Sequence, residues 1–280
     1  MLKVERFCED DIPGLVALSA AVGWDYDEAE LRTVLSAGEM FGQLDETGKI
    51  ISSAAIISYG QGLASLGMVI VHPDHRGLGL GKMVTEKCLK AVPEETAVML
   101  VATPEGRPMY EKMGFFETGK IIKCIADNYT PGDLNDDGIE IRRVVSDDMA
   151  TILDMDRKAF GGDRRKLMES RIRQARRSVV AMNKQGKLLG FCLSVEGPVN
   201  MIIGPLVAEN DQVAALLIDA VSKDYKGKFR IDLPAERNSI LPFLKARGFV
   251  EAAMPPLMLN SDRPMGRDSK LYALAAQIFG

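Results

Sequence analysis

The chain has 280 residues, with 35 Lys and Arg against 39 Asp and Glu and a formal net charge of −4. At 46% hydrophobic and 26% charged, with a mean hydropathy of −0.01, it is built like a globular protein long enough for about two domains. This make-up excludes a general nucleic-acid binder, which needs a basic surplus. It also excludes a membrane span, because no stretch reaches the roughly 20 apolar residues required.

The N-terminus lacks the apolar centre of a secretory signal, so a soluble cytoplasmic protein is expected. Cys8, Cys88, Cys124 and Cys192 stand far apart with no CxxC pair, and with two histidines they offer no recognisable zinc set. No metal is expected, and the cysteines read as reduced thiols, mostly in the core.

Apolar alternation and turn residues give the elements in chain order. A strand at 2–7 is followed by helices at 13–22 and 27–37, strands at 41–44, 49–58 and 63–71, and a helix at 79–91. A strand at 97–102, a helix opened by Pro108 and closed by Gly114, and a strand at 116–126 complete the first half. Residues 127–138 hold Pro131, Gly132 and Gly138 among several Asp and Asn, and read as a linker between domains at 1–126 and 139–280.

The second half repeats the order. A strand at 139–145 leads to helices at 147–160 and 164–176, strands at 178–182, 188–195 and 201–207, a helix at 211–223, a strand at 229–233 and a helix at 239–247. Both halves place acidic residues before their first helix, Glu9-Asp10-Asp11 and Asp147-Asp148. Near their ends Tyr110-Glu-Lys-Met-Gly-Phe115 matches Leu244-Lys-Ala-Arg-Gly-Phe249. Two such pairs in one order point to a duplicated unit. The fold class is therefore α/β of the mixed kind, two domains each with a mostly antiparallel sheet flanked by helices.

The most informative stretch is Val69-Ile-Val-His-Pro73 followed by Arg76-Gly-Leu-Gly-Leu-Gly-Lys82. A strand stopped by proline, then three glycines opening an amphipathic helix, lets backbone N–H groups converge on an anion such as a diphosphate. The glycine spacing does not match a dinucleotide fingerprint, and the Gly-Lys-Ser/Thr ending of a Walker A loop is missing. Arg76 and Lys82 would add charge-assisted contacts. A plain tight turn at a helix start is the alternative reading.

The stretch closely resembles the Arg/Gln-x-x-Gly-x-Gly/Ala pyrophosphate motif of the GNAT superfamily, the acyl-CoA-dependent N-acetyltransferases, and Tyr110 to Phe115 resembles that family's late helix and following strand. The resemblance implies acetyl-CoA as acyl donor, with Arg76, Gly77, Leu78, Gly79, Gly81 and Lys82 at its diphosphate. The backbone of Val69, Ile70 and Val71 would lie along the pantetheine arm, where the fourth strand splays from the fifth. Tyr110 would protonate the departing thiolate, or else packs as a half-buried ring beside Phe115. His72 and His75 lie close enough to be weighed as a general base, with solvent-facing turn residues as the alternative.

Trp24, Asp25 and Tyr26 fall between the first two helices, on the acceptor side in GNAT-like folds. They would receive an amine on a carboxylate and aromatic faces, or form an ordinary helix junction.

The second half lacks this chemistry. Gly204-Pro-Leu-Val-Ala-Glu-Asn-Asp211 has no glycine motif, and Glu209 and Asp211 bring negative charge. It resembles the degenerate C-terminal domain of tandem GNAT proteins, with a role in shaping the acceptor pocket, stabilising the first domain or dimerisation. Asn200, Arg230, Asp232, Arg237 and an apolar wall at 255–258 are its candidate contributions. The basic run Arg171 to Arg177 reads as the polar face of a helix.

The expected activity is direct acetyl transfer from acetyl-CoA to a small-molecule primary amine, in a monomer or homodimer without nucleic-acid or membrane partners. Transfer to a protein or peptide amine, and a non-catalytic CoA-binding sensor, are the rival readings.

Overall fold

The computed structural model describes residues 2–60, 62–262, 266 and 268–280. The first half runs β1 (Glu5–Phe7), α1 (Ile12–Ala21), α2 (Glu28–Ala37), β2 (Glu39–Leu44), β3 (Ile50–Ser58), β4 (Leu63–Val71), α3 (Leu80–Leu89), β5 (Ala97–Val101), α4 (Arg107–Lys112) and β6 (Phe116–Ala126). The second runs β7 (Glu140–Arg143), α5 (Met149–Phe160), α6 (Arg165–Gln174), β8 (Arg177–Met182), β9 (Leu188–Glu196), β10 (Met201–Ala208), α7 (Asp211–Ser222), β11 (Phe229–Pro234) and α8 (Leu241–Ala246). Three short strands follow: β12 (Val250–Ala253), β13 (Pro256–Leu259) and β14 (Leu271–Ala273).

Local chemistry repeats with the order. The acid-rich triplet before each first helix, Glu9–Asp11 and Ser146–Asp148, forms a 3-10 turn, in which Asp11 and Asp148 accept from the backbone N–H of Cys8 and Val145 at 2.8 and 2.9 Å. After α4 and α8 the chain turns through Gly114 and Gly248, with φ of 88° and 94°. In each turn the following Phe N–H closes on the Tyr110 or Leu244 carbonyl at 3.0 Å. The duplication read from the sequence is thus repeated down to its caps.

In each half four antiparallel strands lead to a fifth that is parallel, β1-β2-β3-β4-β5 and β7-β8-β9-β10-β11. One face of the first sheet packs Val84 and Cys88 of α3 against Phe41, Ala54 and Ile56. The alternating residues Met40, Ala55 and Ile57 face Leu15, Leu18 and Leu31 of α1 and α2. That second face shares one core with Phe160, Met168 and Phe191 from the other half, so the repeats meet through their α1-α2 and α5-α6 layers.

The two sheets are joined by an exchange of strands. β13, from the second half, lies between β5 and β6 in the first sheet, pairing Leu257 with Val101 and with Gly119. β6, from the first half, continues into the second sheet and pairs with β11, Asp232 opposite Lys123. The result is one continuous sheet ordered β1-β2-β3-β4-β5-β13-β6-β11-β10-β9-β8-β7. The segment at 255–258, expected as a pocket wall, is instead part of this sheet, with Met258 fully buried among Leu100, Ala102 and Phe115.

Arg171 also departs from expectation. It is 0% exposed, and holds Glu30 of α2 through both terminal nitrogens at 2.5 and 2.7 Å. The helix carrying it ends at Gln174, and Arg176 and Arg177 pair with Glu196 and Asp224 beyond it. Three of the four cysteines are buried free thiols, and Cys8 is exposed.

Candidate functional site

β4 and β5 pair only at Leu63–Ser65 with Ala97–Met99, and from Leu66 onward that edge of β4 has no strand beside it. A bulge marks the departure. The register with β3 shifts between Gly67 and Ile70, and Met68 there takes a φ of 50°. Ser53 Oγ donates to the Met68 carbonyl at 2.9 Å and holds the bulge in place. Val69, Ile70 and Val71 lie on the unpaired stretch, where an extended chain carrying amides fits as another strand would.

Past His72, whose Nδ1 accepts from the Asp74 N–H at 3.4 Å, the glycine loop turns into α3. Gly77 and Gly79 take φ of 80° and 75°, a conformation that L side chains adopt at a cost. The first bond of the helix is Met83 N–H to the Gly79 carbonyl at 3.1 Å. The backbone N–H groups of residues 77–82 consequently find no acceptor among the described residues. Six free donors in sequence at a helix N-terminus form an anion cradle.

The Arg76 guanidinium has no partner among the described residues, and Leu78 is 62% exposed at the rim. Lys82 pairs with Glu86 at 3.6 Å. A Cβ on Gly81 would meet Val71, Met109 and Val69 at 3.4 to 4.0 Å, which places this glycine against the floor of the opening.

Tyr110 of α4 is 7% exposed and packs in one apolar cluster with Leu66 of β4, Leu100 of β5 and Cys88 of α3. Its ring lies 5.9 Å from Phe115 in an edge-on arrangement. Burial first, and then the Cys88 sulfur, push its phenol well above the ordinary value. The hydroxyl donates to no group among the described residues and is not among the sealed, unsatisfied polar atoms.

A cavity of about 470 Å³ opens beside the splay, reaching Leu66, Gly67 and Met68 of β4, Val101 of β5 and Thr103 just beyond it. Its first-half wall carries Trp24, Asp25 and Tyr26, with the two rings 6.1 Å apart. Asp27 caps α2 by accepting from the Glu30 N–H at 2.8 Å, which fixes where that loop stops. Burial and then the Glu30 carboxylate drive the Tyr26 phenol up.

The opposite wall belongs to the second half: Val195, Glu196, Asn200, Ile202 and Arg230, closed by Ala276, Gln277 and Ile278 near the C-terminus. Lys123 reaches it from β6. Sequence reading found Asn200 and Arg230 here. Asp232 lies behind the wall, holding Arg230 at 2.8 Å, while Arg237 is elsewhere, over the Tyr272 ring. Lys123, Gln174 and Gln277 were not singled out, since nothing local distinguishes them. His72 and His75 belong to the turn before the glycine loop, and neither lines the cavity.

The corresponding opening of the second half is filled by the chain itself. β10 pairs with β11 at Met201–Ile203, then with β14, Leu206 opposite Ala273. The N-terminus of α7 is capped by Asn210, which accepts from the Val213 N–H at 3.0 Å, and Glu209 is paired with Lys187. Among the described residues no helix is long and apolar enough to cross a membrane.

Two stretches, residues 19–123 and 152–273, match models described as acetyltransferase (GNAT) domains. The uncharacterized N-acetyltransferase YitH of Bacillus subtilis (strain 168) is 34% identical over 273 residues, 97% of this chain and 96% of that protein. Holothin acyltransferase of a Pseudoalteromonas species (strain SANK 73390) is 23% identical over 86% of the chain and 84% of its own length. Among solved structures, a putative acetyltransferase from Pyrococcus horikoshii superposes with a TM-score of 0.84 at 18% identity, covering 100% of this chain and 96% of that one. A tandem GNAT protein from the clavulanic acid biosynthesis pathway gives 0.68 at 12% identity, covering 94% and 100%.

Proposed function

We propose, for a chain that belongs to the GNAT superfamily and catalyses acetyl-CoA-dependent N-acetyl transfer, that the acceptor is a small-molecule primary amine and that the first half holds the reacting groups. The observation that carries this reading is the position of the cavity. It opens at the β4–β5 gap, is walled by both halves, and has the size of a small-molecule site. A protein or peptide acceptor calls for an open groove, whereas here residues 276–278 line one side of the cavity.

The donor's diphosphate lies on the free amides of residues 77–82, with Arg76 beside it and Gly81 and Lys82 beneath. Its pantetheine arm runs along Val69, Ile70 and Val71. The acceptor enters from the cavity, past Trp24, Asp25 and Tyr26, with its amine toward the thioester.

Having released its ammonium proton to water, the amine attacks the thioester carbonyl carbon. The N–C bond forms, and the oxyanion is met by a backbone N–H of the bulged strand. The C–S bond then breaks, and the sulfur leaves as a thiolate that takes the Tyr110 proton. The surplus proton on the new amide nitrogen goes to water, which also restores the phenol.

The filled opening and the capped helix of the second half support a single donor site. Glu in place of Gly79 puts a side chain at positive φ and a charge against the diphosphate. Gly79→Glu should therefore abolish acetyl-CoA binding by calorimetry, whereas Glu209→Gln, at the matching place in the second half, should leave it unchanged. Loss of binding in the second variant, or its survival in the first, contradicts the assignment.

A further inference from the structure

The strand exchange brings Lys123 of β6 opposite Asp232 of β11, with Arg230 two residues along on the same face of the sheet. Ile122, Cys124, Ile231 and Leu233 alternate with these residues into the core, so Lys123 and Arg230 line the cavity, with Asp232 buried behind them. Both oxygens of Asp232 are taken. Arg230 binds Oδ2 through Nε and a terminal nitrogen at 2.9 and 2.8 Å, and Gln277 donates to Oδ1 at 3.1 Å.

Lys123 is left with no hydrogen bond or ion pair among the described residues. Partial burial and the nearby Arg230 lower its pKa, against the weaker pull of Asp232 and Asp25. The floor therefore holds two cations for one carboxylate, and a half-buried ammonium without a counterion is poorly solvated.

The acidic residues around the cavity do not answer it. Glu30 is bound to Arg171, Glu196 to Arg176, and Asp27 to the N-terminus of α2. Asp25 alone has no partner among the described residues, and it stands on the exposed loop of the opposite wall. A polyamine would need several free carboxylates, and here there is one.

We infer that the acceptor is an amino-carboxylate, a primary amine whose own molecule carries a carboxylate that binds Lys123 beside Arg230. Lys123 is a specificity-determining residue that binds the far end of the acceptor. From β5 to β6 is two inter-strand spacings, about 10 Å, so one small molecule places its carboxylate at Lys123 and its amine at the β4–β5 opening. α-Amino acids whose side chain carries the primary amine, and longer ω-amino acids, share this chemistry. The inference rests on the cavity being the acceptor site, and its test separates it from the transfer reaction.

Trp24 is the single tryptophan of the chain and lines the cavity, so its fluorescence reports occupancy without turnover. The CoA-loaded protein is titrated with α-amino acids, with ω-amino acids of increasing length, and with the amine of each series lacking the carboxylate. One of the two amino-carboxylate series should bind at least tenfold more tightly than its matched amines, and which series does so separates the two sources. Lys123→Met should remove that preference at least tenfold while leaving matched-amine binding unchanged, and Lys123→Arg should keep it. CoA binding by each variant serves as the check on folding.

Equal binding of amino acids and matched amines, tighter binding of polyamines, or a preference unchanged by Lys123→Met overturns the inference. Preferential binding without acetylation of the bound amine would leave Lys123 as a carboxylate-binding residue and overturn the inference that its ligand is the acceptor.

Discussion

In the proposed reaction Tyr110 is the acid, its hydroxyl without a partner among the described residues and its ring packed against Phe115. Burial raises its pKa above the ordinary phenol value of 10.0, so the proton stays on oxygen through the neutral and mildly alkaline range. Tyr110→Phe keeps the packing against Phe115 and removes the proton. It should lower kcat by about 10²-fold, in the range typical of general acids, with acetyl-CoA binding unchanged.

The sign of the pH dependence follows. Because the shift is upward, loss of this proton cannot produce a falling alkaline limb below pH 10, and kcat/KM should rise to a plateau as the acceptor amine deprotonates. A decline between pH 8 and 9.5 in steady-state rates would show that the essential acid is another group.

At the scale of elements, the least ordinary strand is β13, four residues begun by proline and inserted between β5 and β6. Proline is tolerated at the first position of a strand, and Pro256 keeps its carbonyl, which accepts from the Ala102 N–H at 3.1 Å. Met258 fills the core at 0% exposure, and Met258→Ala should cost about 2 to 5 kcal/mol in chemical denaturation. A change under 0.5 kcal/mol would mean that the strand contributes little to the first sheet.

The same strand shows where sequence reading runs out. The long elements were legible because each carries its own periodicity and caps: the apolar run of β3, the Asp27 and Asn210 caps, the glycines after α4 and α8. β12, β13 and β14 have three or four residues each, too few for a period, and their places are set by partners more than 60 residues away along the chain, more than 100 for β12 and β13. The glycine loop could be read as an anion cradle because its donors are contiguous backbone. The cavity beside it could be read only in part. Trp24 to Tyr26 sit at an evident break between helices, but Lys123 is one polar residue in a strand and gains meaning only when β11 is laid beside it.

For the whole molecule, the exchange of β6 and β13 makes each sheet incomplete without the other half. The shared core and the Arg171–Glu30 pair bind the halves further, with Arg171 wholly buried. Residues 1–126 alone would leave β5 without β13 and β6 without its partners β11, β12 and β13. That fragment should show no cooperative unfolding transition and no acetyl-CoA binding, while the full chain melts in a single transition. A folded, CoA-binding fragment in circular dichroism and calorimetry would mean that the exchange is dispensable. The arrangement also explains why a second half whose own opening is filled by β14 belongs to the enzyme. It supplies one strand of the first sheet and one wall of the acceptor cavity.

The most direct measurement is acetyl-CoA-dependent thiol release by the full chain, read against a panel of small amines, amino acids and peptides. The account predicts release that depends on a small amine, matched one for one by acetylated amine in mass spectrometry and lost in Gly79→Glu. Binding of acetyl-CoA with no small-amine-dependent release, or release that favours peptides, would contradict it.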